Sequence, residues 1–126
     1  MKQFLLISFF IPFWLFPQTG TKTIFDKNNS PLKKQTITCI KTDQLGLIWI
    51  GTLEGLFCFS GKTWTKLTTE NSKLPSNTIL CIETKNEKKY IGTPKGLVVI
   101  TNKIWETHNT QNCNIPSNKI RQIKIE

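Results

Sequence analysis

The sequence predicts an all-β fold, an incomplete β-propeller of two four-stranded antiparallel blades, with a preceding strand and the first strand of a third blade. Three observations predict it. The chain repeats itself at an interval of 41 or 42 residues, each repeat breaks into four short apolar segments, and glycine, asparagine and proline punctuate those segments where a helix would need uninterrupted periodicity.

The repeat is plainest in Trp49-Ile50-Gly51-Thr52-Leu53-Glu54-Gly55-Leu56, which returns as Tyr90-Ile91-Gly92-Thr93-Pro94-Lys95-Gly96-Leu97. The apolar pair before the first glycine has strand character, and the two glycines bracket a tight turn in which a residue without Cβ takes positive φ at little cost. Ile37, Cys39 and Ile40 recur 42 positions on as Ile79, Cys81 and Ile82. One residue is then lost in the Asp43 to Leu47 loop, and Lys62, Trp64, Pro75, Ser76 and Asn77 recur 41 positions on as Lys103, Trp105, Pro116, Ser117 and Asn118. Strands are expected at 37–41, 47–52, 55–59 and 63–67, and again at 79–83, 89–93, 96–100 and 104–107.

Before the first full unit, Phe25, Asn29 and Ser30 fall where Leu67, Asn71 and Ser72 fall, so residues 23–26 read as the last strand of an absent unit. After the second, Asn118 to Ile123 reproduces Asn77 to Ile82. The chain therefore divides into a leader at 1–20, the last strand of a missing blade with a linker at 21–35, blade 1 at 36–76, blade 2 at 77–117 and the first strand of a truncated blade 3 at 118–126.

The leader has the layout of a secretory signal peptide, with Lys2 followed by an apolar run from Phe4 to Phe16 that Pro12 interrupts. That run is short for a bilayer span, so export to the periplasm or cell surface is expected, with no stable membrane span in the mature chain. Cleavage is expected between Pro17 and Gly20, and no cysteine stands nearby for a lipid anchor. The formal charge of +9 becomes +8 once Lys2 is removed, and the lysines lie scattered among Asn, Thr and Ile. Such scatter describes a solvated surface, so nucleic acid is not an expected partner.

The side chains with chemical potential point to architecture more than to catalysis. Trp49, Tyr90, Trp64 and Trp105 could stack on sugars, but recurrence once per unit fits wedges between blades. Gly51 to Gly55 lacks the following helix and Lys-Ser/Thr pair of a phosphate loop, so it is a hairpin. Cys39 and Cys81 share one position on successive inner strands and are expected to be small buried hydrophobes in preference to a disulfide; Cys58 matches Val99 in the core, and Cys113 lies in a loop. His108 is the single histidine, no acidic or cysteine cluster has ligand spacing around it, and no nucleophile has a base partner. No metal, no cofactor and no enzymatic activity are expected.

The pattern Asn-x-Ile-x-x-Ile, Trp-Ile-Gly-Thr-x-x-Gly-Leu, Gly-Lys-x-Trp and Leu-Pro-Ser-Asn, which covers nearly everything from Thr36 onward, resembles the two-component regulator propeller repeat. The resemblance implies the exported sensor region of a bacterial hybrid histidine kinase, mainly of Bacteroidetes, whose closed propellers sense glycans or their breakdown products. The chain departs from the pattern at Tyr90, where Trp is expected, and at Lys85-Asn86-Glu87-Lys88, where the Asp-x-x-Gly turn seen at Asp43 to Gly46 has degenerated. A ligand-binding role is expected at Ser76, Asn77, Ser117 and Asn118, near one mouth of the channel of a full ring; the competing reading makes Pro-Ser-Asn a turn that launches each inner strand.

Two blades do not close a ring, so the expected partners, besides a glycan or other small ligand, are further blades or a second copy of the chain. Two functions follow as expectations. One is a piece of a periplasmic ligand sensor; the other is a surface or secretion-associated propeller acting as a protein-interaction scaffold.

Overall fold

The computed structural model describes residues 24–26 and 28–126. The leader, with its proposed cleavage region, lies outside the described residues. Among the described residues eight strands and no helix form two sheets, β1 (Ile37–Thr42), β2 (Ile48–Thr52), β3 (Gly55–Phe59) and β4 (Trp64–Leu67), then β5 (Cys81–Lys85), β6 (Lys88–Thr93), β7 (Gly96–Thr101) and β8 (Ile104–His108). Each sheet is an antiparallel meander in chain order, β1-β2-β3-β4 and β5-β6-β7-β8. The sheets stack face to face, with β5 against β1 and β2, as neighbouring blades of an open propeller.

The Gly-Thr-x-x-Gly motif makes the same clasp twice. Thr52 Oγ1 donates to Gly55 O at 2.8 Å and accepts from Glu54 N at 3.1 Å, and Thr93 makes both bonds with Gly96 O and Lys95 N at the same distances. Gly55 and Gly96 sit at φ 145° and 132°. A Cβ at Gly55 would stand 2.9 Å from Leu67 O and one at Gly96 2.6 Å from His108 O, so the hairpin tip can lie against the outer strand only if it carries glycine.

The degenerate turn at Lys85 to Lys88 closes by another route. Asn86 takes φ 53°, a left-handed conformation that Asn tolerates better than other side chains, and the turn shrinks to two residues. Asn102 at φ 56° does for the β7–β8 turn what Gly61 at φ 91° does for the β3–β4 turn.

Between the sheets lies the core. Trp49, Leu56 and Leu74 from the first unit meet Ile79, Ile82, Ile91, Val98 and Ile100 from the second, with Cys39, Leu47, Cys58, Leu67 and Trp105 packed around them. Backbone bonds cross the junction as well, from Ile79 N to Thr52 O at 2.9 Å, and Thr38 Oγ1 donates to Ile79 O at 2.7 Å. This crossing explains why β5 begins at Cys81 although the apolar pattern begins at Ile79: the backbone of Ile79 is committed to the preceding blade. Ile79 is fully buried. Ile79→Ala is expected to lower the unfolding free energy by about 2–4 kcal/mol, read from urea midpoints, because both the contact and the cavity left behind fall between the sheets.

The strands expected at residues 23–26 and from Asn118 onward are not paired strands among the described residues. A strand needs a hydrogen-bonded neighbour, and neither segment has one. Their docking is nevertheless that of the repeat. Ile120 N donates to Thr93 O at 3.0 Å, as Ile79 N does to Thr52 O. Asn29 accepts from Asp26 N and donates to Ile24 O, as Asn71 does with Thr68 N and Lys66 O, and Asn112 with Asn109 N and Thr107 O.

Candidate functional site

The four residues expected to meet a ligand lie in the linkers that follow β4 and β8, where their polar atoms brace the chain. Asn77 Oδ1 accepts from Thr69 N and Asn118 Oδ1 from Thr110 N, both at 2.8 Å. Ser76 Oγ accepts from Thr78 N at 3.2 Å and Ser117 Oγ from Lys119 N at 3.1 Å. Each serine thus makes a local turn, and each asparagine ties its linker to the turn eight residues earlier. Ser76 and Asn77 come together in one linker and Ser117 and Asn118 in the next, each pair bonded within its own linker.

The most developed polar site is a different one, and it spans the junction. Asp43, the residue after β1, is 6% exposed. Its Oδ1 accepts from Leu45 N at 2.9 Å and Leu47 N at 3.0 Å, and its Oδ2 accepts from Trp49 Nε1 at 2.9 Å. From the second sheet Lys89 brings Nζ to 3.5 Å from the same Oδ2 and to 5.8 Å from the centre of the Trp49 ring. Burial pushes the Asp43 carboxyl upward, but the Trp49 indole, the Leu47 and Leu45 amides and the Lys89 ammonium outweigh it and hold the group below its ordinary value. A second bridge, Lys41 to Glu83 at 3.2 Å, and the bond from Thr84 Oγ1 to Thr42 O at 3.2 Å join the inner strands nearer to solvent.

Lys89 escapes a reading by repeat because its counterpart is Ile48. The available signal was a lysine at an apolar position of the repeat, one residue before the interface aromatic.

The four cysteines are free thiols, and burial pushes Cys39, Cys58 and Cys81 above their ordinary value, which disfavours the reactive thiolate. Among the described residues no group of three or more His, Cys, Asp or Glu side chains could hold a metal ion, and no buried side-chain polar atom lacks a partner. His108 stands 3.9 Å from Glu106 on the outer strand β8.

Two concavities open on the free faces of the pair of sheets. One, of about 380 Å³, is apolar and lies on the face of the first sheet turned away from the second, floored by Ile40, Ile48, Ile50 and Phe59. The other, of about 550 Å³, lies at the β5–β6 turn among Lys85, Glu87, Lys88 and Tyr90, with Ile125 at its side. Tyr90 occupies the position of Trp49, but no carboxylate stands where Asp43 would be. The turn that supplied it has been shortened.

A family model described as Two component regulator propeller matches residues 31–54, the stretch from the linker before β1 to the tip of the β2–β3 hairpin. No curated protein matches the chain. The match falls on the segment that contains the Asp43 turn and the Trp49-Ile50-Gly51-Thr52 strand, and its description agrees with the architecture of stacked four-stranded sheets.

Proposed function

We propose that this chain, which carries a two component regulator propeller repeat, is a sector of an exported ligand-sensing propeller of a two-component system and has no catalytic activity of its own. The observation that carries the reading is the family match on a unit that recurs, folds and packs as a propeller blade. Export rests on the leader pattern of residues 1–20, and no helix among the described residues is long and apolar enough to cross a membrane. The ligand is a glycan or another small molecule, held by the linkers of several blades where Ser76, Asn77, Ser117 and Asn118 face one mouth of the ring. Further blades complete that ring.

The test is a thermal-shift screen of the whole polypeptide that contains this sector against oligosaccharide pools. A rise in Tm of about 2 °C or more that Ser76→Ala with Ser117→Ala abolishes is expected. Absence of any shift from a folded, cooperatively melting protein overturns the sensing role. The second reading, a surface or secretion-associated scaffold, draws on the apolar concavity of the first sheet, which suits a protein partner better than a sugar. Linked coding sequence separates them, since a membrane span with a histidine kinase supports the sensor and a cell-surface sorting domain supports the scaffold.

A further inference from the structure

The apolar concavity on the first sheet can be compared with a finished version of itself. In the repeat register Ile37, Ile40, Ile48, Ile50 and Phe59 correspond to Ile79, Ile82, Lys89, Ile91 and Ile100, all of which the first sheet covers. Ile37 and Ile40 are 45% and 55% exposed, whereas Ile79 and Ile82 are 0% and 4%. The same surface is thus an interface on one blade and open on the other.

Part of the cover is already in place. Phe25, counterpart of Leu67, packs edge-on against Phe59 and Trp64 with ring centres 5.0 and 5.3 Å away. Leu32, counterpart of Leu74, lines the concavity beside it. What the described residues lack is the share that β1, β2 with the residue before it, and β3 give to the second blade, namely Cys39, Leu47, Trp49, Leu56 and Cys58. The backbone of residues 24–26 also pairs with no strand, although its counterpart Leu67 pairs with Leu56 and His108 with Leu97. The Asn29 clasp holds this segment as the end of an outer strand.

Charge narrows the occupant further. At the junction within the chain Asp43 faces Lys89, but the position of Lys89 on the open face is held by Ile48. A carboxylate brought there would be buried without its cation.

We infer that the concavity and the free edge of residues 24–26 together accept three antiparallel strands of another blade of this repeat, one that carries an uncharged residue where blade 1 carries Asp43. The inference rests on the propeller reading and adds the identity of the neighbour. Pairing along residues 24–26 is strand addition, in which main-chain bonds give affinity and the side chains facing Ile48 give selectivity. The β1–β3 segment of a second copy is disfavoured, because Asp43 would meet Ile48.

The test uses the full chain and two synthetic peptides spanning residues 36–60, one as in the chain and one with Asp43→Asn, followed by amide exchange and titration calorimetry. The Asp43→Asn peptide is expected to protect the Phe25 amide and to bind about tenfold more tightly than the unaltered peptide. In an Ile48→Lys chain the order is expected to reverse, since the Asp43–Lys89 pair is then rebuilt between chain and peptide. Unchanged preference in the Ile48→Lys chain, or no protection at Phe25, overturns the inference. So does protection of Phe25 in the chain alone that grows with its concentration, which makes a second copy the occupant. Loss of protection in β5 to β8 of the chain alone overturns the propeller reading itself, so the two failures are distinguishable.

Discussion

Asp43→Ala is expected to lower the unfolding free energy by about 3–5 kcal/mol, the largest loss from any single side chain here, because the carboxylate has four partners and almost no contact with water. Alanine would leave the Trp49 indole N–H and two turn amides unpaired, and the Lys89 ammonium buried without its counter-charge. Lys89→Met is expected to cost far less, about 1–2 kcal/mol, since Asp43 keeps its three hydrogen bonds and the aliphatic stem is replaced in kind. Urea titrations at neutral pH check both. A loss below about 1 kcal/mol for Asp43→Ala would show that the network does not hold the junction.

The same group sets a pH dependence. Its folded pKa lies below the unfolded one, so its contribution is fully present above the unfolded carboxylate range and is lost as pH falls through the folded pKa. Stability of the unaltered chain should therefore decline on acidification more steeply than that of Asp43→Asn, which has nothing to titrate, although its amide nitrogen cannot accept from the Trp49 indole as the carboxylate does.

Gly51→Ala is expected to part the blades. A Cβ there would lie 2.5 Å from Cys39 Sγ and 2.7 Å from Ile79 Cγ2, and both neighbours are held inside the junction. Overpacking of this kind costs about 1–3 kcal/mol. The crowding is mutual, so Gly51→Ala combined with Ile79→Ala should lose about 1 kcal/mol less than the two single losses added together. Strict additivity in a urea double-mutant cycle would mean that the clash relaxes elsewhere.

Much of this architecture is legible in the sequence because its determinants are local. The strand-turn-strand unit is written into Thr52, Gly55, Thr93 and Gly96, whose bonds span only two or three residues, and the interval between copies gives the stacking. What escapes depends on the neighbour. Lys89 is unremarkable beside Tyr90 and becomes half of a buried pair only when the first sheet presents Asp43. Strand boundaries shift for the same reason at Ile79, whose backbone is spent across the junction. The candidate ligand residues could not be resolved by pattern, because an asparagine that braces a turn and one that meets a sugar look alike in one chain; Asn77 and Asn118 do brace turns.

The hairpin clasp also bears on how such a gene can grow. Each full unit brings its own threonine to close its hairpin and its own glycine to admit the outer strand, and the amides of Ile79 and Ile120 bond back to the unit before them. An in-frame duplication of 41 nucleotide triplets therefore adds a unit whose backbone donors are already provided for. Copying errors in the DNA can lengthen or shorten the array without first inventing a loop, and a lysine drifting into an isoleucine position, as at residue 89, is then enough to make one joint differ from the next.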